Sequence, residues 1–526
     1  MTSSAGLTVE RVLGEGPFAE MGMLGQVVTR GEITVAAGDV GRLRFDIGSQ
    51  AGGWSTGWQL GVYAPEGRCR YLMSTGYPVH SIDIHPTLPL IAIGVGDYDG
   101  GYFFKGELLL LNAESGRLTR ALQDEREVRK VQWHGEQTLR MILGPISDHD
   151  VEAPWTRGVD VKIERSDWSA VSERSIGRAE LAGPEIDCER VTRRPNVDRT
   201  SRRQVWDMAR LADGRVLAAL GGVQLESWLP SGEREWVLTS QSVGRQIEVC
   251  ADQQSAWTNT ASDQVWTSSG LMDPFSSVAR VSLADGQVIQ TLTPGFPVIA
   301  TMDTKGWLAL RNSKYAANPT EMVLVGPDNQ SVESVRLGRL DPLNYSFQVR
   351  RASTLYLVAG CGDSIWNDAT EVMSVDATSG TVTPLFPLEW EDQPDGYACS
   401  AGPAIQVRDT IIHAGAVSSN RAALPGNRFV VRRHLGDGAP EWVFTADHPI
   451  TALDGNDETV FITLYSGELL ALDAATGEMR WRQPLAIREI PVVPMSLVAE
   501  PSRLLIGTLD GRILDCSVRP RDAVPQ

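Results

Sequence analysis

The chain has 526 residues, of which 42% are hydrophobic and 22% charged, a globular composition with material for several domains or one large repeat fold. Its 48 basic and 66 acidic residues give a formal net charge of −18, which opposes binding of a phosphate backbone, so no direct nucleic-acid partner is expected. No apolar run reaches the roughly eighteen residues of a membrane span, and the opening MTSSAGLTVERVLGEG lacks a basic cluster and an apolar core of a secretory signal.

In chain order, the first strand-like run is LTVERVLG (7–14), followed by TVAAG (34–38) and the turn APEG (64–67). Next come VHSIDIHPTLPLIAIG (79–94) and GELLLLNAESGRL (106–118), then LRMILG (139–144) and the weaker VDVKIERSDW (159–168). Beyond the segment ERVTRRPNVDRTSRR (189–203), apolar runs recur at 215–222, 355–360, 410–415, 460–464 and 504–509. Turns ending in glycine or asparagine separate them, at LPSG (229–232), LADG (283–286), GPDN (326–329), DATSG (376–380) and LGDG (435–438). The segment GELLALDAATGEM (467–479) matches 106–118 at seven of thirteen positions, both glycines included. Asp, Asn, Ser and Thr in such turns accept local backbone N–H groups, and Gly supplies positive φ. Helical periodicity is nearly absent.

Short strands at even spacing, with turns recurring every ~40–60 residues, are the signature of a β-propeller. GELLALDAATGEMRWR (467–482) resembles a pyrroloquinoline-quinone-type propeller repeat, and VHSIDIHPTLPLIAIG resembles half of a WD-type repeat. The resemblance implies an all-β propeller of four-stranded antiparallel blades, about seven to ten units. Three units are expected in 1–189 and seven in 204–526, with 190–203 as an Arg-rich linker or loop, in one large ring or two linked sub-rings. The last unit ends after its third strand, so residues 7–14 are expected to supply its outer strand and close the ring, since closure removes exposed sheet edges. A quinone-dependent dehydrogenase would be exported and often has adjacent cysteines beside its cofactor. The six cysteines here are scattered without a CxxC pair, so reduced thiols in a cytoplasm and no cofactor are expected.

In this fold the connections between second and third strands share one face, and several are long: 40–58, 95–106, 144–158, 260–277, 361–370 and 416–427. They are rich in aromatics (Trp54, Trp58, Tyr98, Tyr102, Phe103, Trp155, Trp266, Trp366) and acids (Asp97, Asp99, Asp148, Asp150, Asp263, Asp363). Rings supply contact area and acids steer a basic partner, so a protein-binding face is expected. The simpler reading is that each ring packs under its own loop and each Asp shapes a turn. DYDGG (97–101) and SDHD (147–150) fall short of a calcium loop, and no metal is expected.

GxSxG, HExxH and P-loop motifs are absent. The expected role is therefore a non-catalytic scaffold or sensor subunit that binds another protein, as propellers do in multi-subunit complexes. Two alternatives stand: a hydrolase or lyase acting on a sugar or lactone through acids converging at the central channel, and a glycan-binding module with stacking tryptophans. Arg190, Arg193, Arg194, Arg199, Arg202 and Arg203 form the one basic segment, read either as a solvated linker or as a docking segment for an acidic surface.

Overall fold

The computed structural model describes residues 6–44, 54–149, 151–189, 201–239, 243–261, 265–267, 270–272, 277–293, 298–312, 320–328, 332–338, 347–361, 369–388, 397–419 and 428–519. Among them regular structure is almost wholly β, the only helical turns being three short 3-10 segments. The strands build largely antiparallel sheets, mostly four-stranded and mostly formed from strands consecutive in the chain, an all-β fold of propeller type. Two compact units divide the chain. One is Met1–Glu15, Arg44–Trp54 and Thr200–Gln526, and the other is Gly16–Leu43 and Ser55–Arg199.

The smaller unit holds three sheets, whose first strands are Met23–Arg30, Val79–Ile84 and Val128–His134. Its second sheet shows how the sequence pattern works. Strand Leu90–Tyr98 is buried along its first seven residues, because sheets pack on both its faces. Val35, Leu60 and Val62 fill one interface, and Leu90, Leu108, Leu139 and Met141 the other. Continuous apolar runs mark such doubly covered strands, whereas half-exposed strands alternate.

A stack of three sheets must blunt its own two ends. On the first sheet, Met21 is fully buried against Gly38 and Gly61, where a Cβ would lie 2.6 Å from Met21 Cβ and 3.0 Å from Met21 Cε. Beside it the Tyr63 hydroxyl donates to Glu20 at 3.1 Å, and Phe18 meets the Tyr63 ring edge-on at 4.8 Å. The far face of the third sheet is polar instead. Arg140 makes a two-pronged ion pair with Asp160 at 2.8 Å, among exposed Lys130, Gln132 and Lys162.

Among the described residues the larger unit holds seven sheets of three or more strands, besides two two-stranded hairpins. The first strands of the seven, except in the fourth, are Arg203–Arg210, Val243–Val249, Val298–Met302, Tyr397–Val407, Ile450–Gly455 and Pro494–Ala499. The fourth sheet has three strands, beginning at Leu355–Cys361, because the short strand Val349–Arg350 pairs in parallel with Ala404 and Ile405 of the fifth sheet instead. Apolar clusters fill successive interfaces, for example Leu217 with Ala256, Ala309 with Leu357, and Ile412 with Ile462. A further cluster joins Leu505 and Ile513 of the seventh sheet to Val205 and Val216 of the first.

The N-terminal strand Gly6–Leu13 pairs antiparallel with Ile513–Arg519, Leu7 opposite Val518 and Leu13 opposite Ile513, and so completes the seventh sheet. This is the pairing expected from the missing fourth strand. Fully buried Asp515 fastens it, accepting from Arg11 of the N-terminal strand at 2.8 Å and from Arg210 of the first sheet at 2.7 Å. Arg503 adds a third contact at 2.7 Å. These partners hold the Asp515 carboxyl below its usual range against the opposing effect of burial.

The repeated phrase has a packing reason. Asn112 Oδ1 accepts the N–H groups of Glu114 and Ser115, as Asp473 Oδ1 does those of Ala475 and Thr476, and Gly116 and Gly477 follow at φ 70° and 74°. On each glycine lies a ring from the outer strand of the preceding sheet. A Cβ at Gly116 would sit 2.6 Å from Tyr71, and one at Gly477 would sit 2.6 Å from Trp442. The pairs Trp236 on Gly286 and Phe386 on Gly438 repeat the arrangement. Glycine is thus required twice over, by its backbone angle and by the ring against it.

Candidate functional site

The long connections 95–106 and 144–158 belong to neighbouring sheets of the three-sheet unit, and the fold brings them together. Phe103 bridges Ser147, Phe104 N–H donates to the Ile146 carbonyl at 3.1 Å, and Asp148 N–H donates to the Tyr102 carbonyl at 3.0 Å. Beneath this seam three rings interlock. Tyr98 meets Trp155 at 5.0 Å and Phe104 at 5.1 Å, while Phe104 meets Trp155 edge-on at 4.9 Å. The Tyr98 hydroxyl donates to Asp148 Oδ2 at 2.7 Å, and that bond raises its pKa to about 12.

Asp99 shapes the turn above. Its Oδ1 accepts the N–H groups of Tyr102, Phe103 and Gly101, which hold its carboxyl well below the usual carboxylate range. The turn carries Tyr102 and Phe103 outward at 55% and 46% exposure, beside Ile146 at 49%. Tyr102 stacks on His149 with ring centres 4.7 Å apart. The result is a solvent-facing apolar patch on a braced floor, with Asp97, Asp99 and Asp148 in the same two loops.

A buried clasp holds the floor. Arg129 Nε donates to Glu127 at 2.8 Å, and its Nη atoms donate to the carbonyls of Pro154 at 3.1 Å and Arg157 at 2.6 Å. Its guanidinium lies 5.3 Å from the Phe104 ring centre. Burial pushes the Glu127 carboxyl up, but nearby His80 and Arg129 outweigh it and leave it lowered. Gly96 and Gly144 make room, since a Cβ there would lie 2.4 Å from Glu127 Cγ and 2.2 Å from Glu127 Oε2.

Of the residues singled out in the sequence, Tyr98, Tyr102, Phe103, Trp155, Asp99 and Asp148 meet in this patch, while Asp97 lies next to Tyr98 on the same strand and accepts its N–H at 2.9 Å. Trp58 is half-buried on the first sheet of the same unit, opposite Thr75. Trp54 begins that strand, and Trp266 lies in the short hairpin Val265–Thr267 with Gly270–Met272. Trp366, Asp150, Asp263, Asp363, Arg190, Arg193, Arg194 and Arg199 lie outside the described residues. Arg202 and Arg203 face inward within the seven-sheet unit. Arg202 Nη2 donates to fully buried Glu226 at 2.6 Å and its guanidinium lies 5.2 Å from the Trp228 ring centre, while Arg203 is 7% exposed.

Sequence reading missed Glu127, Arg129 and Ile146, and weighed His149 only as a metal ligand within SDHD (147–150). The signal for Arg129 was a cation at a position of VRKVQW that alternation assigns to the buried face.

A second cluster, also missed, lies on first strands of the seven-sheet unit. Arg350 pairs with Asp207, donates to the Leu497 carbonyl at 2.8 Å and lies 3.9 Å from Asp454. Gln348 donates to Glu248 at 2.9 Å, and Gln246 reaches Gln348 at 3.4 Å. Burial and nearby Asp207 raise the Glu248 pKa to about 8. Burial likewise raises that of Asp207, against the pull of Arg350. Three acids do converge, yet two already have fixed partners. Asp207 Oδ1 and Oδ2 accept from Met208 N–H and from Ile247 N–H of the next sheet, each at 2.9 Å. Asp454 does the same with Gly455 and Ala499, both at 2.8 Å. Asp83 of the three-sheet unit repeats the device with Ile84 at 2.9 Å and Trp133 at 2.7 Å. An acid that ties one sheet to the next in three places is a fold element. Among the described residues no group of three His, Cys, Asp or Glu side chains is arranged to hold a metal ion.

No family model matches the chain, and no curated protein matches it. Among solved structures, virginiamycin B lyase from Staphylococcus aureus aligns over 62% of this chain and 97% of its own, at a TM-score of 0.40 and 11% identity. A likeness that distant says nothing of what this chain does. Among the described residues no helix is long and apolar enough to cross a membrane.

Proposed function

We propose that the chain is a non-catalytic β-propeller scaffold or sensor subunit of the cytoplasm, whose three-sheet unit binds another protein through the Tyr102–Phe103–Ile146 patch. On this reading the seven sheets of the larger unit form a ring that the N-terminal strand closes. The carrying observation is the exposure of Tyr102, Phe103 and Ile146 on a floor fixed by Tyr98, Phe104, Trp155 and Arg129. Exposed apolar side chains on a rigid base lose little entropy on docking, and aromatic anchors of this kind dominate interface energies. The acids around them, and the net charge of −18, favour a partner with a basic surface.

The hydrolase or lyase alternative draws on the acids around Arg350. It is the weaker reading, because Asp207 and Asp454 are engaged by backbone N–H groups and by the arginine.

The test is tandem-affinity isolation of the full chain from its native host, with Tyr102→Ala and Phe103→Ala as paired variants. Both side chains are half in water, so the fold should be unaffected within about 0.5 kcal/mol. A stoichiometric partner that is retained by the wild type and lost by either variant supports the reading. A partner retained by both variants, or a chain isolated alone, overturns it.

A further inference from the structure

Outer strands of sheets present unpaired backbone N–H and C=O groups, and proteins protect them with charges, proline or bulges. The described residues contain ten outer strands, three in the smaller unit and seven in the larger. Nine carry a charged residue or a proline. Arg70 lies in Cys69–Thr75, Glu333 and Arg336 in Val332–Gly338, Pro384 in Thr381–Pro387, and Arg480 with Arg482 in Met479–Pro484, and the others follow suit. The exception is Val288–Leu292 of the second sheet in the seven-sheet unit, which reads VIQTL.

Like other outer strands it is largely exposed, but here the exposed side chains are apolar or uncharged. It has a bulge opposite Arg280 and Val281, as other outer strands do, which sets Ile289 out of the ladder, and Val288 and Ile289 stand 47% and 53% in solvent, so what sets it apart is the lack of a charge or a proline. The strand order ends there, so among the described residues no strand pairs its far side. A row of backbone donors and acceptors flanked by β-branched side chains is complementary to another extended backbone.

We propose that Val288–Leu292 is a docking edge that accepts an extended segment of a partner protein as a fifth strand. Two features favour a partner segment over a second copy. Two copies at −18 each repel one another, and a five-residue edge buries far less than the ~1,200 Å² of a stable dimer. The exposed Asp285 at the head of the strand favours a segment with a lysine or arginine at its end, and Val288 and Thr291 favour β-branched or aromatic residues at alternate positions. This edge is independent of the Tyr102–Phe103 patch, so either site can fail without the other.

The test uses the full chain and a displayed library of random nine-residue peptides. Enriched sequences should alternate β-branched with polar residues and end in a basic residue. A synthetic peptide of that consensus should slow hydrogen exchange at the amides of 288–292. Its affinity should fall at least tenfold in Ile289→Lys and in Thr291→Lys, both exposed positions, and stay unchanged in Phe103→Ala. Equal binding to the lysine variants, loss on Phe103→Ala, or no enrichment at all would each overturn the proposal. So would a sedimenting dimer that Ile289→Lys dissociates, since the edge would then belong to a second copy.

Discussion

The patch around Tyr102 and the cluster around Arg350 are both polar–aromatic or polar–charged assemblies built where neighbouring sheets meet, yet they are opposites in what they leave unmet. Around Arg350 the donors and acceptors are largely spent on one another: guanidinium on carboxylate and carbonyl, carboxylate on backbone N–H, amide on carboxyl. Around Tyr102 the buried half is equally well satisfied, by Asp148 on Tyr98 and by Arg129 on three carbonyls, but the upper half offers bare rings to water. The comparison teaches that convergence of acids is a poor guide to function and unmet apolar exposure a better one.

The sharpest way to break the comparison is to remove Arg350. Arg350→Ala leaves Asp207 and Glu248 without their cation, Asp454 keeping Arg351 at 3.4 Å, and removing one partner of a buried ion cluster costs about 3–5 kcal/mol. Denaturant unfolding should show the loss, with little change in partner binding through the Tyr102 patch. A variant of wild-type stability would mean that the cluster does not tie the sheets together.

Glu248 offers a gentler perturbation with a definite sign. Its carboxyl titrates at about 8 in the folded chain against an ordinary 4.5, so between those values the folded state holds a proton that the unfolded state has lost. Stability is therefore fully present below about pH 4.5 and falls as pH rises through 8, for this group by about 1–3 kcal/mol in total, allowing for partial screening. Glu248→Gln keeps an acceptor for Gln348 and should abolish that slope. Melting curves from pH 5 to 9 on both proteins check it, and parallel curves would refute a protonated Glu248.

Much of this architecture is legible in the sequence, and the reasons are local. Val-, Leu- and Ala-rich runs followed by Asp or Asn, small residues and Gly announce strand and turn together, and the unfinished last unit announces that residues 7–14 pair elsewhere. The ring on each turn glycine is also written, as Trp236 before Gly286 and Trp442 before Gly477, but the spacing varies because the outer loops do. What is not legible is which loops meet. Asp97, Asp99 and Asp148 look alike as letters, yet Asp99 caps its own turn whereas Asp148 reaches across to Tyr98 of the neighbouring sheet. Likewise the acid in TALDG resembles any strand-end Asp until Ala499, forty-five residues on, donates to it.

The smallest expected effect tests the floor of the patch. Tyr98→Phe keeps the ring contacts with Phe104 and Trp155 and removes only the hydroxyl that Asp148 accepts. A single hydrogen bond to a carboxylate in a solvent-screened loop contributes little net, so global stability should barely move. Asp148 also stands beside His149, whose ring carries Tyr102. Freed from Tyr98, Asp148 has less to hold it in place, and the loop that presents Tyr102 and Ile146 should exchange its amide hydrogens faster. Partner affinity should then drop a fewfold although no docking side chain has changed. If Tyr98→Phe binds as tightly as wild type while Phe103→Ala does not, the rings alone brace the patch and the hydrogen bond is incidental.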